Sequence, residues 1–134
     1  MGERVLVWRI ENAAKKGMYD VSRTAHHEMG GGKRHPGPNG YGSSVDREIA
    51  NVWDAMPWRE QQKWFFGFES LEQMKRWVHT RQLRRTLHEE GLLLNCYSVP
   101  AEHVHTSKHQ AIFRRWRARK VESRRVDYDC QLAG

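Results

Sequence analysis

The sequence predicts a single α+β domain over residues 1–134, a mixed, mostly antiparallel sheet of about four to six strands carrying two principal helices. Three observations lead there. A length of 134 residues supports one two-layer core. Short runs rich in β-branched and aromatic residues, at 3–10, 63–68 and 92–99, alternate with stretches where apolar side chains return every three or four positions. Glycine, proline and serine stand at the boundaries between them.

"ERVLVWRI" (3–10) is the first strand. Val5 and Val7 face one way and Leu6, Trp8 and Ile10 the other, so both faces are expected to be buried. Arg9 shares the Val5/Val7 face. A guanidinium there requires a carboxylate, carbonyl oxygens or an anionic ligand, because a buried charge without a partner is prohibitive. Residues 20–44 then run through "HHEMGGGKRHPGPNGYGSS", whose glycines and prolines support neither helix nor strand. A loop of that length in a small domain is usually functional or mobile. Its histidines, His26, His27 and His35, have no fixed ligand geometry.

Ser44 is the expected N-cap of a helix whose apolar face is Val45, Ile49, Val52, Trp53 and Met56, and Pro57 ends it. "KWFFGF" (63–68) is a part-buried strand. Ser70 caps the second helix, and Gln73 completes a capping box of the S-x-x-Q form. Leu71, Met74, Trp77 and Val78 form its buried face, continued by Leu83 and Leu87 as far as Gly91. "LLLNCYSV" (92–99) is a strand ended by Pro100. A His-containing turn (101–109) follows, and "QAIFRRWRARKV" returns as one final strand.

The formal net charge is +7, and it is local. Segment 114–125, "RRWRARKVESRR", holds seven Lys/Arg and one Glu, leaving 16 basic and 15 acidic groups in the other 122 residues. Such a patch attracts phosphates or an acidic protein surface. It also serves as a charged strand edge that discourages pairing. Trp116 lies among Arg114, Arg115 and Arg117, with Arg119 just beyond, an arrangement suited to stacking on bases of RNA or single-stranded DNA. Trp58 is a second expected surface aromatic.

Several classes are disfavoured. No stretch approaches the roughly 20 apolar residues of a membrane span, and the N-terminus lacks a signal-peptide pattern. A soluble, cytoplasmic protein with no membrane partner is expected. Cys96 and Cys130 are far apart with no CxxC, which suits neither a disulfide framework nor a zinc ribbon. His103, His105 and His109 follow Cys96 in an HxHxxxH spacing that could serve zinc, but a strand edge alternates histidines just as well, and no metal is expected. P-loop, GxSxG and HExxH motifs are missing.

Three segments together, "VWRI" (7–10), "FGFESLEQ" (66–73) and "YSVPAEHV…HQAIF" (97–113), resemble a small ADP-ribosyltransferase-type fold, in the divergent form seen in short phage-encoded proteins of unknown role. The resemblance implies NAD as cofactor, held by an early-strand arginine, here Arg9. It implies a nicotinamide pocket lined near the start of the mid-chain helix, here Phe66 and Ser70, and it adds Tyr19 to the cofactor-binding set. A late acidic residue polarises the ribose in such folds. Gln110 occupies that place, with Glu102 nearby but offset, so the resemblance implies either an ADP-ribosyltransferase acting through Gln110 and Arg9 or an inactive relative. A neutral amide offers only a dipole where a carboxylate would offer charge. The implied role is a host-takeover or counter-defence accessory protein acting on a host protein or ribonucleoprotein. The other function class is a non-enzymatic binder of nucleic acid or of a host complex, working through Arg114, Arg115, Trp116, Arg117 and Arg119.

Overall fold

Among the described residues, two antiparallel three-stranded sheets take the place of the single mixed sheet expected. The computed structural model describes residues 2–25 and 47–127 and, of Tyr19, the backbone alone. One sheet has the order β1 (Arg4–Glu11), β3 (Leu93–Pro100), β6 (Arg119–Arg125). The other has the order β2 (Trp64–Gly67), β5 (Ala111–Arg114), β4 (Val104–Thr106). The division arises in the segment read as one final strand. After Phe113 the apolar alternation gives way to "RRWRARK", which cannot stay in a core. Arg115–Arg117 turn as a 3-10 helix, and the chain leaves one sheet for the other. Residues 101–109, expected as a turn, contain β4, whose Val104 pairs with Phe113.

Among the described residues the helices include α1 (Met18–Val21), α2 (Arg47–Ala55), α3 (Trp58–Gln61), α4 (Leu71–Trp77) and α5 (Arg81–Glu89). The strand pleat sorts the core between them. Val7 joins Tyr97 and Val99 against Ala111 and Phe113, which makes that face of β1 the contact between the sheets. Ile10 and Leu94 point the other way, onto Met74, Trp77 and Leu87 of α4 and α5. The far side of the second sheet, through Trp64 and Ile112, meets Ile49, Val52, Trp53 and Met56 in and just after α2. Each fully buried side chain of this kind contributes about 1.5–3 kcal/mol. Leu6 departs from expectation. It is 55% exposed, because the helices cover only the Ile10 end of its face.

The helix expected from Ser70 to Gly91 is two helices. No apolar residue sustains the stripe between Val78 and Leu83; α4 stops, and the Thr80 hydroxyl accepts from the Leu83 N–H to start α5. Gly91, at φ +95°, closes α5 in a Schellman turn, its N–H bonded to the His88 carbonyl and that of Leu92 to the Leu87 carbonyl. Ser70 caps α4, accepting from the Gln73 N–H at 3.1 Å. The reciprocal arm reaches one residue further back than in the usual box, with Gln73 Oε1 accepting from the Glu69 N–H at 2.9 Å. The expected cap Ser44, Val45 and the three loop histidines His26, His27 and His35 lie outside the described residues.

The two sheets are joined where Trp8 and Phe68 exchange both backbone hydrogen bonds at 2.7 Å. Gly67 permits that approach. A Cβ there would lie 2.4 Å from the Trp8 carbonyl oxygen and 3.1 Å from the Phe113 ring. The aromatic run "FFGF" is broken by glycine because two backbones cross at that point.

Candidate ligand cleft and basic edge

Beside this crossing lies a cleft of about 230 Å³. Arg9 and Ile10 of β1 form one wall, and Gly17, Met18 and Asp20 around the start of α1 form another. Phe66, Gly67, Phe68, Trp77 and Gln110 complete it. Three residues singled out from the sequence, Arg9, Phe66 and Gln110, are thus brought together. Ser70 is not among the lining residues; its hydroxyl caps α4. Tyr19 falls between two lining residues, Met18 and Asp20.

Arg9 is 8% exposed and meets a buried carboxylate, as its position on an apolar face requires. Its Nε donates to Glu11 Oε1 at 2.8 Å, Nη1 to the Phe66 carbonyl at 2.8 Å and Nη2 to the Lys15 carbonyl at 3.2 Å. The guanidinium also lies 4.2 Å from the Phe65 ring centre. Lys15 is held at φ +65° in a turn in which Asn12 Oδ1 accepts from the N–H groups of Ala14 and Lys16. Glu11 in turn accepts from Asn95 Nδ2 at 2.8 Å and from the Tyr97 hydroxyl, and Ser123 donates to Asn95. Burial lowers the Arg9 pKa while Glu11 works against that. Burial first, then the bond to Glu11, pushes the Tyr97 phenol upward. The sequence reading missed Glu11. The available signal was its two-residue spacing from Arg9, which puts both on one strand face.

Gln110 is fully buried and held by a side-chain-stapled turn. Ser107 Oγ accepts from the N–H groups of His109 and Gln110 at 3.1 Å each, and the Ser107 N–H donates to the Gln110 carbonyl at 2.8 Å. Gln73 Nε2 donates to the Ser107 carbonyl at 2.8 Å. Ser70 therefore acts on the cleft at one remove: it caps α4, and the first turn of α4 anchors the turn that carries Gln110. The ring of Phe66 packs on Trp53, 4.9 Å between centroids, so its carbonyl bonded to Arg9 is the part tied to the cleft network. Asp20, an exposed carboxylate bordering the cleft, was also missed, since nothing in the sequence marks the turn that places it. Glu102 is exposed and lies outside the lining.

The basic segment divides by partner. Arg114 donates to Glu60 at 2.6 Å and lies over the Trp64 ring, and that bond holds the Glu60 carboxyl below its usual range. Arg124 pairs with Glu122 and lies over Trp8, while Arg125 pairs with Asp127 at 2.9 Å. Arg115 stacks near the Phe65 and Trp116 rings, at 4.8 and 5.2 Å. Trp116 is 73% exposed, and Trp58 is exposed as well. Among the described residues no group of three or more His, Cys, Asp or Glu is placed to hold a metal ion. His105 packs on Trp64 at 5.3 Å, where burial lowers its pKa. Cys96 is buried and its thiol is pushed up to about 11, while Cys130 lies outside the described residues. No helix among the described residues is long and apolar enough to cross a membrane.

These features define a small α+β domain with a two-sheet core, a cleft where the sheets cross, and a cationic outer strand. The chain belongs to the Bacteriophage T4 Y00F protein family, whose profile matches residues 1–127. No curated protein and no solved structure matches it.

Proposed function

We propose that this phage protein holds NAD by its nicotinamide–ribose end in the cleft, on a scaffold of ADP-ribosyltransferase type, and acts as an accessory protein on a host component. One observation supports this above others: Arg9, Phe66 and Gln110, chosen from three separate stretches of sequence, line a single cleft. Its volume of about 230 Å³ is below the roughly 300–1,000 Å³ that takes a drug-sized ligand. One ring and its sugar suit it, with the diphosphate running outside. Phe68 and Trp77, edge to face at 5.1 Å, supply apolar surface for a heteroaromatic ring. The diphosphate does not depend on Arg9, whose charge is already matched by Glu11 at 2.8 Å.

Cleavage of the glycosidic bond, in which nicotinamide leaves with the bonding pair and water or a nucleophile of the host component bonds to the ribose carbon, needs negative charge beside an oxocarbenium-like centre. Gln110 is neutral and Glu11 is committed to Arg9, Asn95 and Tyr97. In this reading that charge comes from Asp20, and without it the protein is a binder. Calorimetric titration with nicotinamide, NAD and ADP-ribose tests the proposal. Nicotinamide and NAD should bind while ADP-ribose binds far more weakly. Gly17→Val should remove binding, because a Cβ at Gly17 already lies 3.2 Å from Arg9 Nη2. NAD affinity that survives Gly17→Val, or no binding of any of the three at millimolar concentration, overturns it. Release of nicotinamide from NAD that disappears in Asp20→Asn would establish the enzymatic form.

A further inference from the structure

The seven cations of segment 114–125 are not equivalent in the folded protein. Arg114, Arg124 and Arg125 each pair with a carboxylate. Arg115, Arg117, Arg119 and Lys120 are exposed and have no ion pair among the described residues. These four flank Trp116, whose ring is held out on the 3-10 turn between β5 and β6 with the Arg115 guanidinium 5.2 Å from its centre. We infer that this edge is a binding surface for single-stranded nucleic acid, independent of the cleft, with Trp116 stacking on a base and the four cations facing phosphates.

The choice of partner follows from geometry. An exposed indole beside guanidinium planes matches the faces of unstacked bases, which a duplex keeps within its stack. Strand addition by a protein partner is disfavoured. The register of β6 against β3 shifts between Cys96 and Tyr97, leaving Val121 with no opposite residue, and a bulged, charged outer strand resists edge pairing. Phosphate neutralisation by these four groups makes affinity depend on salt, with a slope of about 0.7 for each phosphate contacted on a single strand.

Fluorescence anisotropy with labelled 12-nucleotide oligo(dT), oligo(U) and a duplex of equal length tests the surface. Either single strand should bind more tightly than the duplex. Trp116→Ala should weaken binding roughly five- to a hundredfold. The joint change Arg115→Ala, Arg117→Ala, Arg119→Ala and Lys120→Ala should flatten the salt slope by about two to three units, while Arg125→Ala leaves it unchanged. All six side chains are exposed, so these variants retain the fold, as circular dichroism would verify. Duplex bound as tightly as single strand, or an unchanged affinity in Trp116→Ala, overturns the inference. So does displacement of the oligonucleotide by polyglutamate of equal charge, which would mark a surface for acidic protein.

Discussion

Arg9 stands where an unpaired guanidinium could not survive folding, and Glu11, two residues along the same strand face, resolves the problem. The pair is almost fully withdrawn from water, so its value lies less in attraction than in what its loss would expose. Glu11→Gln should lower stability by about 3–5 kcal/mol in urea denaturation, leaving the arginine buried without its counter-charge. Adding Arg9→Met should recover part of that loss; a double variant as unstable as the single one would contradict this account. Cys96 makes a pH-dependent prediction. Its folded-state pKa rises from 9.0 to about 11 through burial, so the folded protein binds the thiol proton more tightly than the unfolded chain. That contribution is complete below pH 9 and is lost as pH climbs toward 11. Stability should therefore decline across that window, less steeply in Cys96→Ala. Tyr97, also raised by burial, adds a loss in the same direction at higher pH.

At the scale of elements, the stretch from β2 into α4 ties the fold to the cleft. Gly67 lets β2 reach β1, and Ser70 and Gln73 then orient the helix that anchors the Ser107–Gln110 turn. Gly67→Ala should cost roughly 1–3 kcal/mol or more, since a carbonyl oxygen sits where the methyl must go. Ser70→Ala should cost about 1 kcal/mol and also speed hydrogen exchange at the amides of His109 and Gln110, distant in sequence but linked through Gln73. Unchanged exchange there would show that the turn holds itself. The capping serine was legible in the sequence because a cap is a local interaction. The break between α4 and α5 was visible only as a lapse in the apolar stripe, and a lapse can equally be a kink or a solvated turn.

For the whole molecule, most of the +7 charge is concentrated in residues 114–125, from the end of β5 through β6, and this brings self-repulsion that the paired arginines relieve only in part. Removing Arg117, Arg119 and Lys120 together should leave stability within about 0.5 kcal/mol of wild type or raise it at low salt. Arg114→Ala should instead cost up to about 1 kcal/mol, because it leaves Glu60 with Lys63 alone and uncovers Trp64. Thermal melts at two ionic strengths separate these outcomes. Equal losses in both variants would mean the exposed cations carry structural contacts after all.

By itself the sequence determined what is local or periodic: the pleat of β1 that turns Arg9 inward, the caps at Ser70 and Gly91, the strands around Trp64 and Leu94, and the isolation of basic charge in 114–125. These follow from side-chain alternation, single-residue conformational preference and composition, each readable over a few positions. Tertiary structure alone decided which strands share a sheet, that Arg115–Arg117 carries the chain from one sheet to the other, and which cations find carboxylates. It also decided that Arg9, Asp20 and Gln110 border one cleft. Those outcomes depend on contacts between residues far apart in the chain, and a local pattern specifies which face of an element is apolar without specifying what will cover it.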